Sequence, residues 1–268
     1  MSNCYIFNHL KYNNGIFDNS VDITYIMTME NSKRIFNITE QLNKLKPTSN
    51  IILVINKGFK KCNKNLPINI STKDIIHCNI EIFKHAKKNN YKNILVLEDD
   101  FIYDNNIYQY QHVYNINKTC NDYINVNFSL SLGSLPLLML PYNYCLYKSI
   151  FTMATHAMIY SEKCRNKILN DDALNSLDWD LYTNLYANKY LYYLPIITQT
   201  YPETTNQKNW DSALGLKYFT IQCIRNNELD KKPQPGYNNM FKTFKIINFL
   251  LLIVFILLVF YLLNYLKR

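Results

Sequence analysis

An uninterrupted apolar run close to the C-terminus constrains this chain more than any other feature. Between residues 246 and 266 there is no charged side chain, and the strongly polar ones are Asn248 and Asn264, one near each end. At about 1.5 Å per residue, a helix of this length spans roughly 30 Å, the thickness of a bilayer's hydrocarbon core. A buried core helix is usually shorter and keeps a polar stripe. We therefore predict a membrane-spanning helix over residues 246–266, with a lipid bilayer as its partner.

The sequence on either side of this run predicts which side of the membrane holds the rest of the chain. Residues 1–15 lack the basic start and apolar run of a signal peptide. A C-terminal helix must then be inserted after synthesis, which leaves the N-terminal domain in the cytosol. More basic residues precede the helix than follow it, which favours the same orientation. They are Lys231, Lys232, Lys242 and Lys245 before it, and Lys267 and Arg268 after it.

Net charge and cysteine content argue against several classes of protein. The formal net charge is +9, but the basic residues are spread out with no dense run outside the tail, so we predict no nucleic-acid partner. Seven cysteines without CxxC spacing argue against a zinc site and a disulfide framework, and reduced thiols are the simpler interpretation. Sequons for N-glycosylation are expected by chance in so asparagine-rich a chain. They begin at Asn37, Asn69, Asn117 and Asn127.

The rest of the chain is long enough for one large domain with a full core. We predict a polar leader over residues 1–21, a folded domain over 22–230 and a linker over 231–245. Apolar runs predict strands at 22–29, 50–56 and 93–97, separated by a helix that ends at Pro47 and a helix capped by Thr72. Further strands are predicted at 125–133, 151–160 and 191–200, with helices that begin at Ser161 and Ser176.

This alternation of strands and helices predicts an α/β fold with a Rossmann-like parallel or mixed sheet. The chain has five glycines and contains neither GxGxxG nor GxxxxGK[ST]. Classical dinucleotide sites and P-loops are therefore not expected.

Three consecutive acids, Glu98-Asp99-Asp100, follow the third predicted strand. Ligand sites of parallel sheets lie at the carboxyl ends of the strands, so a site is expected here. Adjacent carboxylates repel one another, and a divalent cation such as Mn²⁺ or Mg²⁺ with oxygen ligands would neutralise them and bridge them to a diphosphate. A solvated turn at the end of a strand is the structural alternative.

The segment Ile94-Leu-Val-Leu-Glu98-Asp99-Asp100-Phe101 resembles the metal-binding strand end of GT-A glycosyltransferases, and most closely that of the family 25 glycosyltransferases. Three further stretches resemble that family in the same order, and together they cover about residues 22–210. They are Ile26-Met-Thr-Met29 with Ser32-Lys33-Arg34, then residues 155–161, then Ser176-Leu-Asp-Trp-Asp-Leu181. The chain is similar to divergent members of the kind encoded by large DNA viruses, which implies a GT-A-like fold and a host or virion membrane.

This resemblance implies a metal-dependent transfer of a sugar from a nucleotide-diphospho-sugar, such as a UDP-hexose, to a protein or glycan hydroxyl. Mn²⁺ would be held chiefly by Asp100, assisted by Glu98 or Asp99, and the donor would be contacted by Thr28, Arg34 and Asp99. Asp178 and Asp180 are the candidates for the base that takes the acceptor proton, and motif order favours Asp178. His156 and Trp210 are candidates to line the acceptor cleft or stack on a sugar.

Some positions depart from the family pattern. Where the family usually has Gly-Cys followed by Ser-His, this chain has His77-Cys78 and then Glu81-Ile82. These departures keep open a catalytically inactive GT-A fold that serves as a membrane or virion structural protein. A metal-dependent phosphotransferase or nuclease would also use clustered carboxylates, but it would need a second acidic or histidine cluster, and none is evident in the sequence. The sugar, the acceptor and the stereochemical outcome are left open.

Overall fold

The computed structural model describes residues 4–122, 127–130, 134–137, 139–149, 151–153, 155–199 and 235–266, and the single positions 222, 225, 226 and 228. Thirteen strands lie in these ranges: β1 (Tyr5–Lys11), β2 (Ile23–Met29), β3 (Asn50–Asn56), β4 (Asn93–Glu98), β5 (Phe101–Tyr103), β6 (Asn127–Ser129), β7 (Ser134–Leu137), β8 (Leu140–Pro141), β9 (Leu146–Lys148), β10 (Phe151–Met153), β11 (Ala157–Ser161), β12 (Lys189–Tyr192) and β13 (Ile197–Gln199). The helices are α1 (Ile35–Lys44), α2 (Ser71–Lys88), α3 (Tyr110–Asp122), α4 (Glu162–Leu169), α5 (Trp179–Leu185) and a long C-terminal helix (Pro235–Leu266), with short 3-10 turns at Asn105–Tyr108 and Ala173–Asn175.

Nine of the strands form one mixed sheet, in the order β1-β3-β2-β4-β11-β6-β12-β9-β8. Its centre is parallel, since β2 pairs in parallel with both β3 and β4. β1 is antiparallel to β3, and β11 is antiparallel to β4 and β6. The three parallel strands end at the same edge of the sheet, where Met29 lies opposite Asn56 and Met27 lies opposite Glu98.

Strand alternation gives the sheet two buried faces, because successive side chains of a strand point to opposite sides. On β4, Leu95 and Leu97 join the core that α1 and α3 cover, with Ile38 and Ile116 as helix contributions. Ile94 and Val96 point the other way, into the core covered by α2, α4 and α5, around Phe83. Burial on both faces explains the near-continuous apolar sequence of β3 and β4.

Several predicted boundaries need correction. The leader predicted over residues 1–21 contains β1, an edge strand with a mixed polar and apolar sequence, so the sheet begins before residue 22. The strand predicted at 151–160 is divided between β10, which pairs with β7, and β11, which pairs with β4. The strand predicted at 191–200 is likewise divided between β12 and β13. The apolar and aromatic sequence continues from Leu191 to Ile197, so it could not mark where β12 ends and β13 begins.

Of the four helix caps predicted from the sequence, one is confirmed. The cap of α1, for which the sequence offers Asn31 or Ser32, is Arg34. Ser161 caps α4 as predicted, because its hydroxyl accepts from the Cys164 amide. Helix α2 begins at Ser71 with Ile70 as its N-cap, so Thr72 lies inside the helix rather than at its cap. Asp178, not Ser176, caps α5.

The C-terminal helix confirms the predicted apolar segment. Residues Lys245–Leu266 have a mean hydropathy of 3.1, and 6% of this stretch is buried within the protein, so the helix is long and apolar enough to cross a membrane. The helix already begins at Pro235, so most of the predicted linker over 231–245 is helical.

The cysteines differ from the prediction of reduced thiols. Cys4, at the start of β1, is bonded to Cys62 in the loop after β3, with the Cα atoms 5.6 Å apart. The antiparallel pairing of β1 with β3 brings these residues together, and a separation of 58 positions gave no local signal. Among the described residues, Cys78, Cys120, Cys145 and Cys164 are free and buried. Cys223 lies outside the described residues.

Candidate functional site

The acidic cluster lies where the sequence predicts, at the carboxyl end of a central parallel strand. Glu98 is the last residue of β4, and Asp99 and Asp100 form the turn into β5. The Asn37 side-chain amide from α1 donates to the backbone carbonyls of Asp99 and Phe101, at 3.1 and 2.9 Å. The turn is therefore held by hydrogen bonds from a neighbouring helix, and its carboxylates are fixed in position.

Asp99 is bound by three side chains from β2 and the segment after it. Its Oδ2 accepts from the hydroxyls of Thr28 at 2.8 Å and Ser32 at 2.9 Å. Its Oδ1 accepts from Arg34 Nη1 at 2.9 Å. The sequence predicts that Thr28, Arg34 and Asp99 contact the sugar-nucleotide donor. In the structure, Thr28 and Arg34 both bond to Asp99. Ser32 belongs to the same motif and completes the group.

Arg34 also bonds to the next carboxylate. Its Nη1 lies 3.1 Å from Asp100 Oδ2, which also accepts from the Gln199 side chain at 3.3 Å. The Asp100 side chain is 2% exposed. Burial raises the pKa of Asp100 to about 6, and Arg34 opposes this rise while Asp99 adds to it. One guanidinium therefore partly neutralises two adjacent buried carboxylates.

Glu98 lies on the face of β4 that carries Ile94 and Val96, as strand alternation requires. Its side chain is half-buried and makes no hydrogen bond to any residue that the structure describes. Burial raises the pKa of Glu98 well above its ordinary value, and the charges of Asp100, Asp180 and Asp99 raise it further, while Arg34 lowers it. The charge of Asp180 therefore acts on Glu98, although the two are far apart in sequence.

The two candidate bases have different environments. Asp178 is the N-cap of α5, and its Oδ1 accepts from the amides of Asp180 at 2.8 Å and Leu181 at 3.3 Å. Burial and the charge of Asp180 raise the pKa of Asp178, and these two hydrogen bonds oppose the rise. Asp178 therefore has a structural role as a cap, whereas the charge of Asp180 in the first turn acts on the pKa of Glu98. Which of the two acids serves as the base stays a prediction.

Two buried bases border this group. His156 precedes β11, and its carbonyl accepts from the Glu98 amide at 2.9 Å. Burial lowers the pKa of His156 to about 4, so the ring is neutral at physiological pH. Lys189 on β12 is fully buried and donates to the Thr152 carbonyl at 3.0 Å. Burial lowers the pKa of Lys189 to about 8, although Asp180 and Asp178 favour its charge. Trp210, the other candidate for the acceptor cleft, lies outside the described residues.

The side-chain atoms that could bind a metal here are carboxylate oxygens with an excess of negative charge, which suit a hard divalent cation. Within the described ranges, however, no three acidic, histidine or cysteine side chains converge as ligands of one ion. Glu98 points to one face of the sheet, and Asp100 is held by Arg34. A cation bound by Glu98 and Asp100 would compete with Arg34 for the Asp100 carboxylate.

Three further residues at this site carried no functional signal in the sequence. Gln199 contacts Asp100 from β13, Asn37 holds the turn, and Lys189 lies beside the α5 acids. Asn37 appeared only as the start of a sequon, and Gln199 and Lys189 carried no motif. Their roles depend on strand pairing that a local pattern does not report, namely β13 with β5 and β12 with β6.

The raised pKa of Asp100 predicts a pH-dependent stability difference. A folded-state pKa near 6, against an ordinary value of 3.8, means that the folded state loses stability as pH rises from about 4 to above 6. In metal-free buffer, Asp100→Asn should therefore gain stability relative to wild type over this interval, by up to about 3 kcal/mol. The buried histidines affect both proteins equally and cancel in the difference. Thermal melts from pH 4 to 7.5 measure it, and a difference that does not change with pH would contradict the assigned environment.

Comparison with known proteins identifies no family. No protein-family model matches the chain, and no curated protein matches it. Among solved structures, one match is titled "Crystal Structure of A197 from STIV", with a TM-score of 0.43 and 9% identity over 68% of this chain and 85% of that chain. At that level of similarity the match carries no functional argument.

Proposed function

We propose that this chain is a metal-dependent glycosyltransferase that moves a sugar from a nucleotide-diphospho-sugar to a protein or glycan hydroxyl. The observation that supports it best is the acidic cluster Glu98-Asp99-Asp100 at the carboxyl end of β4, where the parallel strands end. Asp180 from α5 acts on the pKa of Glu98, beside Asp99 and Asp100. Ligands of α/β sheets bind at this edge, and such carboxylates are suited to metal binding and proton transfer.

In this proposal the acids have separate roles. Glu98 and Asp100 would hold Mn²⁺ or Mg²⁺, which when bound offsets the charge that develops on a leaving nucleoside diphosphate. Asp99 positions Arg34 beside Asp100, and Thr28 and Ser32 fix Asp99. Arg34, released from Asp100 by the cation, would be available to a donor phosphate. Asp180 would accept the proton of the acceptor hydroxyl.

A second candidate is a catalytically inactive fold with a structural role in a membrane or virion. One observation favours it specifically: Arg34 bridges Asp99 and Asp100, so the turn supplies its own counter-ion. A turn neutralised in this way needs no divalent cation to be stable. The two candidates differ in whether any sugar nucleotide is bound or hydrolysed.

Hydrolysis of sugar nucleotides tests the proposal. With Mn²⁺, the wild-type chain should slowly hydrolyse at least one common UDP- or GDP-sugar, and chelation should abolish the reaction. Asp180→Asn should lower this rate by about 10²- to 10⁴-fold while the chain stays folded, because it removes a base but leaves the Asp178 cap in place. Asp172→Asn, at an exposed site, is the matched control. If wild type hydrolyses none of the sugars and binds none of them, the inactive fold is correct.

The cytosolic orientation of the domain stays a prediction. One feature of the structure, a disulfide, argues against it, and the exposure of the sequon asparagines shows which of them can test it. A disulfide between Cys4 and Cys62 is more common in oxidising compartments than in the cytosol that the sequence predicts. Three of the four sequon asparagines are not freely accessible: Asn37 and Asn117 are partly buried in hydrogen bonds, and Asn127 is buried. Asn69 is exposed, so it is the one described sequon that can report the compartment.

A cytosolic domain predicts that Asn69 carries no glycan when the chain is expressed in a eukaryotic host. Mass spectrometry of the peptide that contains Asn69 measures this directly, and Asn69→Gln provides the control. A glycan lost in Asn69→Gln would reverse the orientation, and the disulfide would then be in its usual environment. Mapping Cys4–Cys62 in the same digest, under non-reducing conditions, reports the disulfide independently.

A further inference from the structure

The C-terminal helix touches the folded domain at the point where its apolar stretch begins. Asn248 Oδ1 accepts from the Met139 amide at 3.3 Å, and Lys245 Nζ lies 5.7 Å from the centre of the Tyr147 ring. Asn248 is 7% exposed, whereas its neighbours Ile247 and Phe249 are 41% and 63% exposed. This contact between helix and domain explains why a polar residue, Asn248, lies in an otherwise apolar stretch.

The part of the domain that meets the helix is itself strongly apolar. Residues 135–141 read Leu-Pro-Leu-Leu-Met-Leu-Pro, without a charged or strongly polar side chain. The run covers most of β7, which contacts the helix, and all of β8, which is the outermost strand of the nine-stranded sheet. Leu140 on β8 is 48% exposed. Leaving the Leu140 side chain in water is unfavourable by about 25 cal/mol for each Å² of its apolar surface.

We propose that the segment Met139–Pro141 is a second membrane-contact element that lies in the interfacial layer of the bilayer crossed by the C-terminal helix. The helix enters the hydrocarbon region near Lys245–Asn248, and the hydrogen bond from Met139 fixes the segment at that depth. Basic residues on both sides suit the headgroups of anionic lipids: Lys245 from the helix and Lys148 from β9, which pairs with Leu140. The bilayer is the occupant because the segment is continuous with the helix that spans it.

Contact at two points has a mechanical consequence. A domain held by a single helix could rotate about it, whereas a second contact beside the helix fixes which face of the sheet is turned to the membrane. β8 lies at one edge of the sheet and β1 at the other, eight strand spacings apart, or roughly 38 Å if the sheet were flat. Attachment through β7 and β8 would therefore keep β1 well away from the lipid.

Spin labels on the full chain in lipid nanodiscs test this arrangement. A nitroxide is attached at Leu140→Cys, in a Cys223→Ser background, and its collision rates with oxygen and with a water-soluble nickel chelate are measured. Asn8→Cys, exposed on β1, is the matched control, and Leu257→Cys, exposed on the middle of the helix, reports insertion. The label at 140 should collide with the nickel chelate several-fold less often than the label at 8, and more often than the label at 257.

Two results would overturn the proposal. If labels at 140 and 8 were equally accessible to the nickel chelate, the segment would lie in water. If the label at 257 were itself accessible, the helix would not be in the bilayer and the contact would have no partner. Pro141→Cys, also exposed on β8, replaces Leu140→Cys if that variant does not fold. Comparing zwitterionic nanodiscs with anionic ones measures the contribution of the lysines.

Discussion

Asp74→Asn is expected to destabilise the folded domain by about 3–5 kcal/mol, the largest loss that we predict for a single substitution away from the candidate site. Asp74 lies in the first turn of α2 and pairs with Lys64, whose side chain is 0% exposed. The Lys64 ammonium also bonds to Asn56 and lies 4.4 Å from the centre of the Tyr5 ring. Removing the carboxylate would leave a buried cation without its counter-ion.

Chemical denaturation measures this effect, with Glu40→Gln as the control. Glu40 pairs with Lys44 on the exposed face of α1, so its loss should change stability by less than about 0.5 kcal/mol. A double variant, Lys64→Met with Asp74→Asn, should recover part of the loss because no charge is left buried. An Asp74→Asn protein as stable as Glu40→Gln would show that Lys64 is solvated, and that the loop after β3 is not held as described.

This ion pair matters for the candidate site because of where the loop lies. The loop follows β3 at the sheet edge where β2 and β4 also end, and Gly58 in it adopts a positive φ of 76°. A Cβ at Gly58 would lie 2.8 Å from the end of the Met29 side chain, so the loop packs closely on the end of β2. The Lys61–Glu30 ion pair joins the same two segments at 3.1 Å. The loop therefore supports the strand end that carries Thr28.

The sequence predicted the parallel centre of the fold well and its antiparallel half poorly. The central strands are continuous apolar runs bounded by polar residues, and β3 has the predicted bounds of 50–56. In the second half, β6, β10 and β13 have three residues each, too short for a periodic signal. β1 was missed because an edge strand is half exposed, and its polar side chains hide the pattern.

The candidate site could be predicted only as far as its acids are adjacent in sequence. Glu98-Asp99-Asp100 was evident because three carboxylates follow a buried strand. The sequence does not separate the two acids of α5: Asp178 accepts from the first amides of the helix, whereas the charge of Asp180 acts on the pKa of Glu98. The sequence predicted that Arg34 contacts the sugar-nucleotide donor. Its ion pairs with Asp99 and Asp100 could be seen only in the structure.

Asp100→Asn carries the second large expected effect, on ligand binding rather than on folding. Asparagine keeps an oxygen that can accept from Arg34 and Gln199, so the turn should persist. It loses the negative charge, and a divalent cation loses a principal anionic ligand. In the wild type, a sugar nucleotide with Mn²⁺ at 100 times its dissociation constant should stabilise the fold by about 2.7 kcal/mol. Asp100→Asn should lose nearly all of this stabilisation. Asp122→Asn, at an exposed position, should keep it.

The most direct test is therefore the melting temperature of wild type and Asp100→Asn, each with and without Mn²⁺ and a UDP-sugar. We predict that wild type melts about 5–10 °C higher with both ligands present, that either ligand alone gives a smaller shift, and that Asp100→Asn does not respond. Without ligands at pH 7, the variant should melt no lower than wild type, because an unfavourable buried charge has been removed. A wild type that no sugar nucleotide stabilises in the presence of Mn²⁺, or an Asp100→Asn protein stabilised as much as wild type, would contradict the account.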